Sequence, residues 1–331
     1  MKLAIYGYHH AHIDMFIDEA EALGHSLVAV CDPGNPMATA MAARKNVPTV
    51  DVAELIALNP DIICSSAINN EKIDIIEFCH THGFNLMLDK PAVTTEADYQ
   101  RLQEIMAEGK IQIGMMLTER FSPEIQTLRR LIQEGVLGDL RHISFNKPHK
   151  LRAETREAWH FSQEQNGGIV IDLLCHDLDL LLWLSESHVV DIKGYVTVGG
   201  NKDYPDFTDS TALVTQTESG VLCQMMANWW EPEAYPVYGR GRIICTGTEG
   251  TVEIMTTGEP LFDLDPYLYL CTHKTEPTKM FADKPESTLA EDFISRIEGN
   301  NEAPMIGHNE ILTVSKLCLT ASDAVDTVSS D

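Results

Sequence analysis

The sequence predicts an α/β protein in which an N-terminal, doubly wound parallel sheet precedes an α+β domain with an open, mainly antiparallel sheet. Three observations support this. Apolar runs alternate with helical periodicity up to about residue 120. Those runs are apolar throughout, as is typical of parallel strands buried on both faces. Beyond residue 120, one strongly apolar helix is followed by extended runs separated by turns. The 331 residues suit two domains, which we place at 1–120 and 121–331.

The elements of the first domain follow from these runs in order. The strands are expected at Lys2–Tyr6, Leu27–Cys31, Pro48–Val50, Ile62–Cys64, Phe84–Leu88 and Ile111–Met116. The helices, with apolar positions three and four residues apart, are expected at 12–23, Met37–Lys45, Val52–Leu58, Ile73–His82 and Ala97–Glu108. Alternation of this kind indicates repeated βαβ units and a buried parallel sheet.

The elements of the second domain follow a different order. A helix is expected over Pro123–Glu134, a strand near Leu140–Asn146, and one strongly apolar helix over 170–184. Extended runs then follow at Val189–Val198, Thr211–Thr217, Val221–Trp229, Gly241–Cys245 and Thr251–Met255. Glu218-Ser219-Gly220 separates two of these runs and is typical of a hairpin turn.

Composition restricts the compartment and the partners. The formal charge of −26 argues against nucleic acid and anionic membrane as partners, because both would be repelled. The eight cysteines include no CxxC pair, which fits reduced thiols in the cytosol. No apolar stretch approaches the roughly 20 residues that span a bilayer, and the N-terminus lacks the pattern of a signal peptide. We therefore expect a cytoplasmic protein.

The turn after the first strand is a candidate dinucleotide site. A Rossmann domain binds pyrophosphate there, with the fingerprint G-x-G-x-x-G. The run that begins at Gly7 and ends at His12, GYHHAH, keeps only the first glycine, but it stands between a strand and a helix. Asp32 ends the second strand, where an acid binds the ribose 2′-hydroxyl, which favours NAD without excluding NADP. Alternatively, Asp32 merely caps a strand before Pro33.

The same turn carries three histidines, which raises the question of a metal. His9, His10 and His12 are close enough to chelate an ion, with Asp14 nearby. No cysteine or distant His/Glu pattern completes a site of known spacing, so we expect no metal. The histidines are instead expected to line the dinucleotide site, with Tyr8 and Ala11.

Three polar residues are the candidate reactive centre. Lys90 follows a strand-like run, and the carboxyl ends of parallel strands bind ligands; its bond to Pro91 could be cis. On the predicted 170–184 helix, Asp172 and His176 are four positions apart and share one face. Burying both is costly unless they pair or face a site. A surface lysine and a purely structural Asp–His pair remain the alternatives.

Several motifs along the chain occur together. Asp89-Lys90-Pro91 stands where one family has Glu-Lys-Pro, and the segment 166–179 resembles its Gly-Gly…Asp-x-Gly-x-His-x-x-Asp motif. Further matches are Arg120–Pro123, Leu131–Gly138 and Gly247–Thr251. Over essentially its whole length the sequence resembles the glucose–fructose oxidoreductase, inositol dehydrogenase and rhizopine-catabolism (Gfo/Idh/MocA) family. It departs from the family in most of the glycine fingerprint, in Ala67-Ile68-Asn69 for Thr-Pro-Asn, in Lys72 for a common histidine, and in Leu174 for a glycine.

The resemblance implies hydride transfer between a nicotinamide and a hydroxyl-bearing carbon of a sugar, polyol or related small molecule, in a homodimer or homotetramer formed through the C-terminal sheet. It makes Lys90 a ligand of nicotinamide ribose and substrate, Asp172 an orienting partner and His176 the general acid/base. The expected dinucleotide ligands are Gly7, Tyr8, His9, His10, Ala11, His12, Asp32, Ser66, Ala67, Asn69, Asp89 and Lys90. The expected substrate ligands are Arg120, Lys147, Arg152, Trp159, His160, Asp172 and His176.

Two other functions remain open. Some members of the family retain NAD and use transient oxidation to cleave or rearrange a glycosidic substrate. The family also includes a non-catalytic, dinucleotide-responsive regulator, which the eroded glycine fingerprint favours. The joint presence of Lys90, Asp172 and His176 argues against a regulator, because a sensor needs none of this chemistry.

Overall fold

A computed structural model describes residues 1–262, 265–301 and 303–329; residues 330 and 331, which end the predicted second domain, lie outside the described part. The chain divides into two compact units. The first contains Met1–Thr118, Glu164–Gly167 and Ser287–Lys316, and the second contains Glu119–Gln163, Gly168–Glu286 and residues from Leu317 onward. No described helix has the length and apolar character needed to span a membrane.

The strands agree with the predicted runs to within a few residues over most of the chain. They are β1 (Lys2–Tyr8), β2 (Ser26–Cys31), β3 (Ile62–Ser66), β4 (Asn85–Leu88), β5 (Ile113–Met115), β6 (Leu140–Pro148), β7 (Val189–Val198), β8 (Ser210–Thr217), β9 (Leu222–Asn228), β10 (Arg242–Gly247), β11 (Gly250–Met255), β12 (Tyr267–Thr272), β13 (Thr278–Met280) and β14 (Val325–Ser329). The last three are strands for which the apolar pattern made no prediction.

The helices of the first 133 residues also agree with the predicted periodicity. In chain order, the α-helices of the described residues are α1 (Asp14–Ala22), α2 (Pro36–Lys45), α3 (Val52–Leu58), α4 (Lys72–His82), α5 (Glu96–Glu108), α6 (Pro123–Gln133), α7 (Gln163–Asn166), α8 (Ile169–Asp172), α9 (Cys175–Ser185), α10 (Leu289–Ile297) and α11 (His308–Asp323). Helix α3 begins with a capping box, in which Asp51 and Glu54 each accept a backbone N–H of the other.

The sheet of the first unit is parallel, as predicted. Within the described residues its order is β2-β1-β3-β4-β5. The predicted strand Pro48–Val50 is reduced to an isolated bridge. In it, Thr49 pairs with Val30 on the edge of β2 that faces away from β1. With that bridge counted, the order is the 3-2-1-4-5-6 of a Rossmann fold, whose ligands bind where the order reverses, between β1 and β3.

The sheet of the second unit is mixed and mostly antiparallel. Its order over the described residues is β13-β12-β11-β10-β6-β9-β8-β7-β14, with parallel pairing only between β6 and β9 and between β7 and β14. Strand β8 alternates between buried and exposed residues, which leaves one apolar face in the core and one face at the surface. The predicted fold class is confirmed for both parts.

The division of the chain differs from the predicted boundary at residue 120 in two segments, residues 164–167 and 287–316. Residues 287–316 belong to the first unit rather than the second. Helix α10 explains this, because its buried face includes Phe293, whose ring meets that of Phe16 edge to face at 5.9 Å. Glu19 also accepts the backbone N–H of Ala290 at 3.0 Å. The apolar face of α10 is therefore buried against α1, far away in sequence.

Candidate active site

The turn at Gly7 lies where β1 and β3 end. Gly7 has a φ of +76°, and a Cβ added there would lie 2.8 Å from the Cβ of Ala67. The backbone N–H of His9 donates to the carbonyl of Ser66 at 2.9 Å. Glycine is required at this position by both conformation and space, so the one glycine kept from the fingerprint is the one that lets the two strand ends approach.

Asp32, at the end of β2, is tied to this turn. Its Oδ2 accepts hydrogen bonds from the backbone N–H of Tyr8 at 2.9 Å and from Asn35 Nδ2 at 2.7 Å. Asn35 in turn caps α2 through its side-chain oxygen and donates to the Tyr8 carbonyl at 2.8 Å. Asn35 was not among the residues predicted from the sequence, although Asn before Pro at a helix start is a capping signal. The ribose role of Asp32 stays a prediction.

Asp89 brings together the turn after β1 and the end of β4. Its Oδ1 lies 2.8 Å from His12 Nδ1 and its Oδ2 lies 3.2 Å from His10 Nδ1. The Asp89 carboxyl group is buried. Burial alone would raise the pKa of Asp89, but the neighbouring His12, His10 and Lys72 outweigh this and hold it well below its usual range. These contacts join residues 77 and 79 positions apart.

Lys90 and Asn69 share a buried partner, Lys72. The ammonium group of Lys72 donates to Asn69 Oδ1 at 2.9 Å and to the Lys90 carbonyl at 3.0 Å. Asn69 also donates to the carbonyl of Asn166, at 2.9 Å. The Lys90–Pro91 peptide bond is cis, as the sequence allowed. Lys72 is thus a positioning residue for two predicted dinucleotide ligands, whereas the sequence marked it only as a departure from the histidine common in the family.

The predicted helix over 170–184 is interrupted. Helix α8 ends at Asp172 and α9 begins at Cys175, because Leu174 has a ψ of −1° where a continuous helix needs about −42°. Asp172 and His176 therefore belong to consecutive helices rather than to one uninterrupted helical face. His176 is buried and Asp172 is half-buried. Their catalytic roles stay predictions.

Arg120 and Asp179 form a buried, bidentate ion pair within the second unit. Arg120 Nε donates to Asp179 Oδ2 at 2.7 Å and its Nη2 donates to Oδ1 at 2.6 Å. The guanidinium also lies over the Trp183 ring, 5.3 Å from its centre. The predicted substrate role of Arg120 is untested, but this contact gives it a structural task.

Lys147 lies in a second buried group of charges. Its Nζ is 2.7 Å from Glu119 Oε1 and 3.0 Å from Asp177 Oδ2. Burial raises the pKa of Asp177, whereas Lys147 lowers it. Burial lowers the pKa of Lys147, but the neighbouring Asp177 and Glu119 carboxylates outweigh this and raise it, so the ammonium stays charged. Lys147 was among the residues predicted from the sequence, but neither acid was, although Asp177 directly follows His176.

The remaining predicted substrate ligands lie in the segment after β6. The Trp159 and His160 rings are both buried and stack with their centres 3.7 Å apart. Arg152 is half-exposed, lies over the Tyr238 ring at 5.2 Å and is 3.9 Å from Glu233 Oε2. Aromatic and cationic groups thus occur side by side here, and the substrate roles of these residues stay predictions.

The structure gathers the predicted dinucleotide ligands at the carboxyl ends of β1, β2, β3 and β4 in the first unit. The predicted catalytic residues are divided between units, with Lys90 in the first and Asp172 and His176 in the second.

Two family models match the chain. Residues 2–116 match the "Oxidoreductase family, NAD-binding Rossmann fold", and residues 125–253 match the "GFO/IDH/MocA C-terminal domain". Inositol 2-dehydrogenase 2 of Saccharopolyspora erythraea is 26% identical over 176 residues, which cover 52% of this chain and 48% of that protein. The chain thus spans about half the length of this relative.

Two further likenesses extend over more of the chain. Inositol 2-dehydrogenase of Rhizobium meliloti (strain 1021) is 24% identical over 299 residues, which cover 86% of this chain and 84% of that protein. A crystal structure from Erwinia carotovora atroseptica SCRI1043 has a TM-score of 0.90 and 21% identity, and covers 99% of each chain. The resemblance predicted from the sequence is confirmed: the chain belongs to the Gfo/Idh/MocA family of oxidoreductases, with an NAD-binding Rossmann domain and the family's C-terminal domain.

Proposed function

We propose that the protein is an NAD(P)-dependent dehydrogenase or reductase that acts on a hydroxyl-bearing carbon of a sugar, polyol or related small molecule. The observation that carries the proposal is the arrangement around Gly7, where the ends of four parallel strands bring together the predicted dinucleotide ligands. The matched family supports a nicotinamide cofactor, and the relatives named inositol 2-dehydrogenase support a polyol substrate.

The residues at this edge fit a dinucleotide. The missing Cβ of Gly7 lets the backbone approach a pyrophosphate closely. Asp32 is an acceptor at the end of β2, the position from which an acid binds an adenosine ribose, and its carboxylate favours NAD over NADP. The nicotinamide of a dinucleotide bound at this edge of the sheet would accept or donate the hydride. Ser66, Ala67 and Asn69 would line the opposite side of the turn.

The proton chemistry falls to three side chains. His176 would remove the hydroxyl proton during oxidation, since an imidazole titrates near neutral pH. Asp172 would hold the imidazole in the orientation that accepts this proton. Lys90 would bind the substrate oxygen and stabilise the negative charge that develops on it.

Turnover of a polyol and sugar-acid panel with NAD and NADP, followed by the absorbance of reduced nicotinamide, tests the proposal. In His176→Ala we expect kcat to fall by about 10²–10⁴-fold, with the Kd for NAD changed by less than about threefold. His188→Ala, at an exposed histidine of the same unit, is the matched control and should keep full turnover.

Each other outcome is informative. Unchanged turnover in His176→Ala would reject the role of His176. Release of a sugar without net NADH would identify the NAD-retaining, glycosidase-type reaction. Tight NAD binding with no turnover across the panel would identify a regulator, and absence of dinucleotide binding would reject all three.

We also propose that two or four copies assemble through the surface face of the second sheet. Tyr195 and Val214 are each 58% exposed and Leu222 is 50% exposed. Pairing of β7, β8 and β9 places all three on the same face, and exposed apolar groups clustered on one surface mark interaction sites. Sedimentation should give a dimer or tetramer, and Val214→Lys should lower the assembly state, whereas a monomeric parent protein would reject this.

A further inference from the structure

We propose that His10, His12 and Asp89 bind a divalent transition-metal ion of the zinc, cobalt or iron(II) class. Each residue offers one ligand atom, and the three atoms lie within 4.8 Å of one another. Metal bonds to imidazole nitrogen and carboxylate oxygen are about 2.0–2.2 Å long, so the ligand atoms around one ion stand roughly 3 Å apart. The observed spacing therefore needs only a small closure.

The fold holds these three groups close together. His10 and His12 stand on either side of Ala11 in the turn that follows β1, and Asp89 directly follows β4. The Asp89 carboxylate has one oxygen 2.8 Å from His12 Nδ1 and the other 3.2 Å from His10 Nδ1. Both imidazoles thus already converge on one carboxylate.

The three ligand side chains differ in burial. The Asp89 side chain is only 5% exposed, whereas those of His12 and His10 are 23% and 45% exposed. The acid is fixed inside the sheet edge while the imidazoles reach the surface, so an ion has an entry path and a rigid anionic ligand.

The ligand atoms of these three side chains are of the types that transition metals prefer. Two imidazoles and one carboxylate are the protein ligands of open zinc sites and of the two-histidine, one-carboxylate iron(II) sites. Mg²⁺ and Ca²⁺ prefer oxygen ligands, so this set selects against them. Three protein ligands also leave coordination positions for water or another small ligand.

The simpler alternative is that Asp89 only accepts hydrogen bonds from two protonated ring nitrogens. Lys72, whose charge also favours the ionised form of Asp89, supports that alternative. Lys72 itself donates to Asn69 Oδ1 and to the Lys90 carbonyl. The two readings differ in whether metal uptake depends on these three side chains.

Titration of the metal-stripped, tag-free protein with Co²⁺, followed by visible absorption, decides between them. We expect one equivalent of Co²⁺ to bind with d–d bands that Zn²⁺ abolishes, and Zn²⁺ alone to raise the Tm. His12→Gln and Asp89→Asn should each weaken binding by at least about tenfold. The measurement needs no NAD and no turnover, so its result is independent of the proposed activity.

The matched control is His80→Gln, which removes another histidine–carboxylate contact of the first unit, between His80 Nε2 and Glu108 Oε2 at 2.9 Å. It should leave the Co²⁺ affinity unchanged. If Asp89→Asn does not fold, His10→Gln, at a largely surface side chain, replaces it. No stoichiometric Co²⁺ uptake, or equal uptake in the parent, His12→Gln and His10→Gln proteins, overturns the proposal.

Discussion

The ammonium group of Lys72 donates a hydrogen bond to the backbone carbonyl of Lys90, with Nζ and O 3.0 Å apart. Lys72 is 1% exposed, and it also donates to Asn69 Oδ1, a second uncharged acceptor. A buried ammonium is costly unless its donors are satisfied, so this lysine connects the start of α4 to the segment after β4. The backbone position of the proposed reactive lysine is therefore set by a second lysine.

Lys72→Met tests this connection. Methionine fills a similar volume but leaves the Asn69 and Lys90 acceptors without their donor, so we expect about 1–3 kcal/mol less stability and a weaker affinity for NAD. Lys316→Met is the control, because Lys316 is exposed and its contact with Glu96 is a surface ion pair that contributes about 1 kcal/mol or less. Equal stability of the two variants in denaturant unfolding would contradict the connection.

Gly7→Ala tests the close approach of the strand ends. The new Cβ would stand 2.8 Å from that of Ala67, in a backbone with a φ of +76°. Gly24→Ala isolates the conformational part, because Gly24 has a φ of +89° and nothing within 4 Å of an added Cβ. We expect Gly7→Ala to lose about 1–3 kcal/mol more than Gly24→Ala, and to bind NAD at least about tenfold more weakly. Equal Tm losses would show that the strand ends can separate without cost.

Breaking the Arg120–Asp179 pair should be severe. Asp179→Asn removes the carboxylate that pairs with the buried guanidinium of Arg120, and breaking such pairs costs about 3–5 kcal/mol. Asp139→Asn, in an exposed pair with Arg141, should cost less than about 1 kcal/mol. Urea unfolding measures both. Recovery of stability in a double variant, Arg120→Met with Asp179→Leu, would show that the penalty comes from the unpaired charge.

His308 makes the stability of the first unit dependent on pH. Burial, and then the charge of Arg296, lower the pKa of His308 to about 4, and its Nε2 accepts the backbone N–H of Ile113 at 3.0 Å. Because the unfolded chain binds this proton near pH 6.5 and the folded chain does not, stability falls as the pH drops from about 6.5 to 4, by at most about 1.4 kcal/mol per unit.

His308→Gln should flatten this dependence, since a glutamine oxygen can accept the same N–H and does not titrate. The measurement is the free energy of unfolding at several pH values between 4 and 7. His188→Gln, at an exposed histidine, should retain the slope of the parent protein. A His308→Gln slope as steep as that of the parent would assign the pH dependence to other groups.

Local patterns in the sequence were enough to predict the order and type of most elements and the edge of the sheet that carries the proposed site. Apolar periodicity is a local property, so β7 and α3 are found at the predicted bounds. Strand ends are local too, which is why Gly7, Asp32 and Asp89 were expected together. The pattern weakened after residue 260, where short, half-exposed strands bury few consecutive apolar residues.

Which side chains contact one another could be seen only in the folded chain. The contact between Asp89 and His12 spans 77 positions, that between Arg120 and Asp179 spans 59, and α10 packs beside α1. Such contacts depend on the register of strands that are not neighbours in sequence and on the helices that cross between them. The spacing of residues along the chain does not encode that register. The fold is selected by the burial of apolar faces, and the polar contacts follow from where those faces place each side chain.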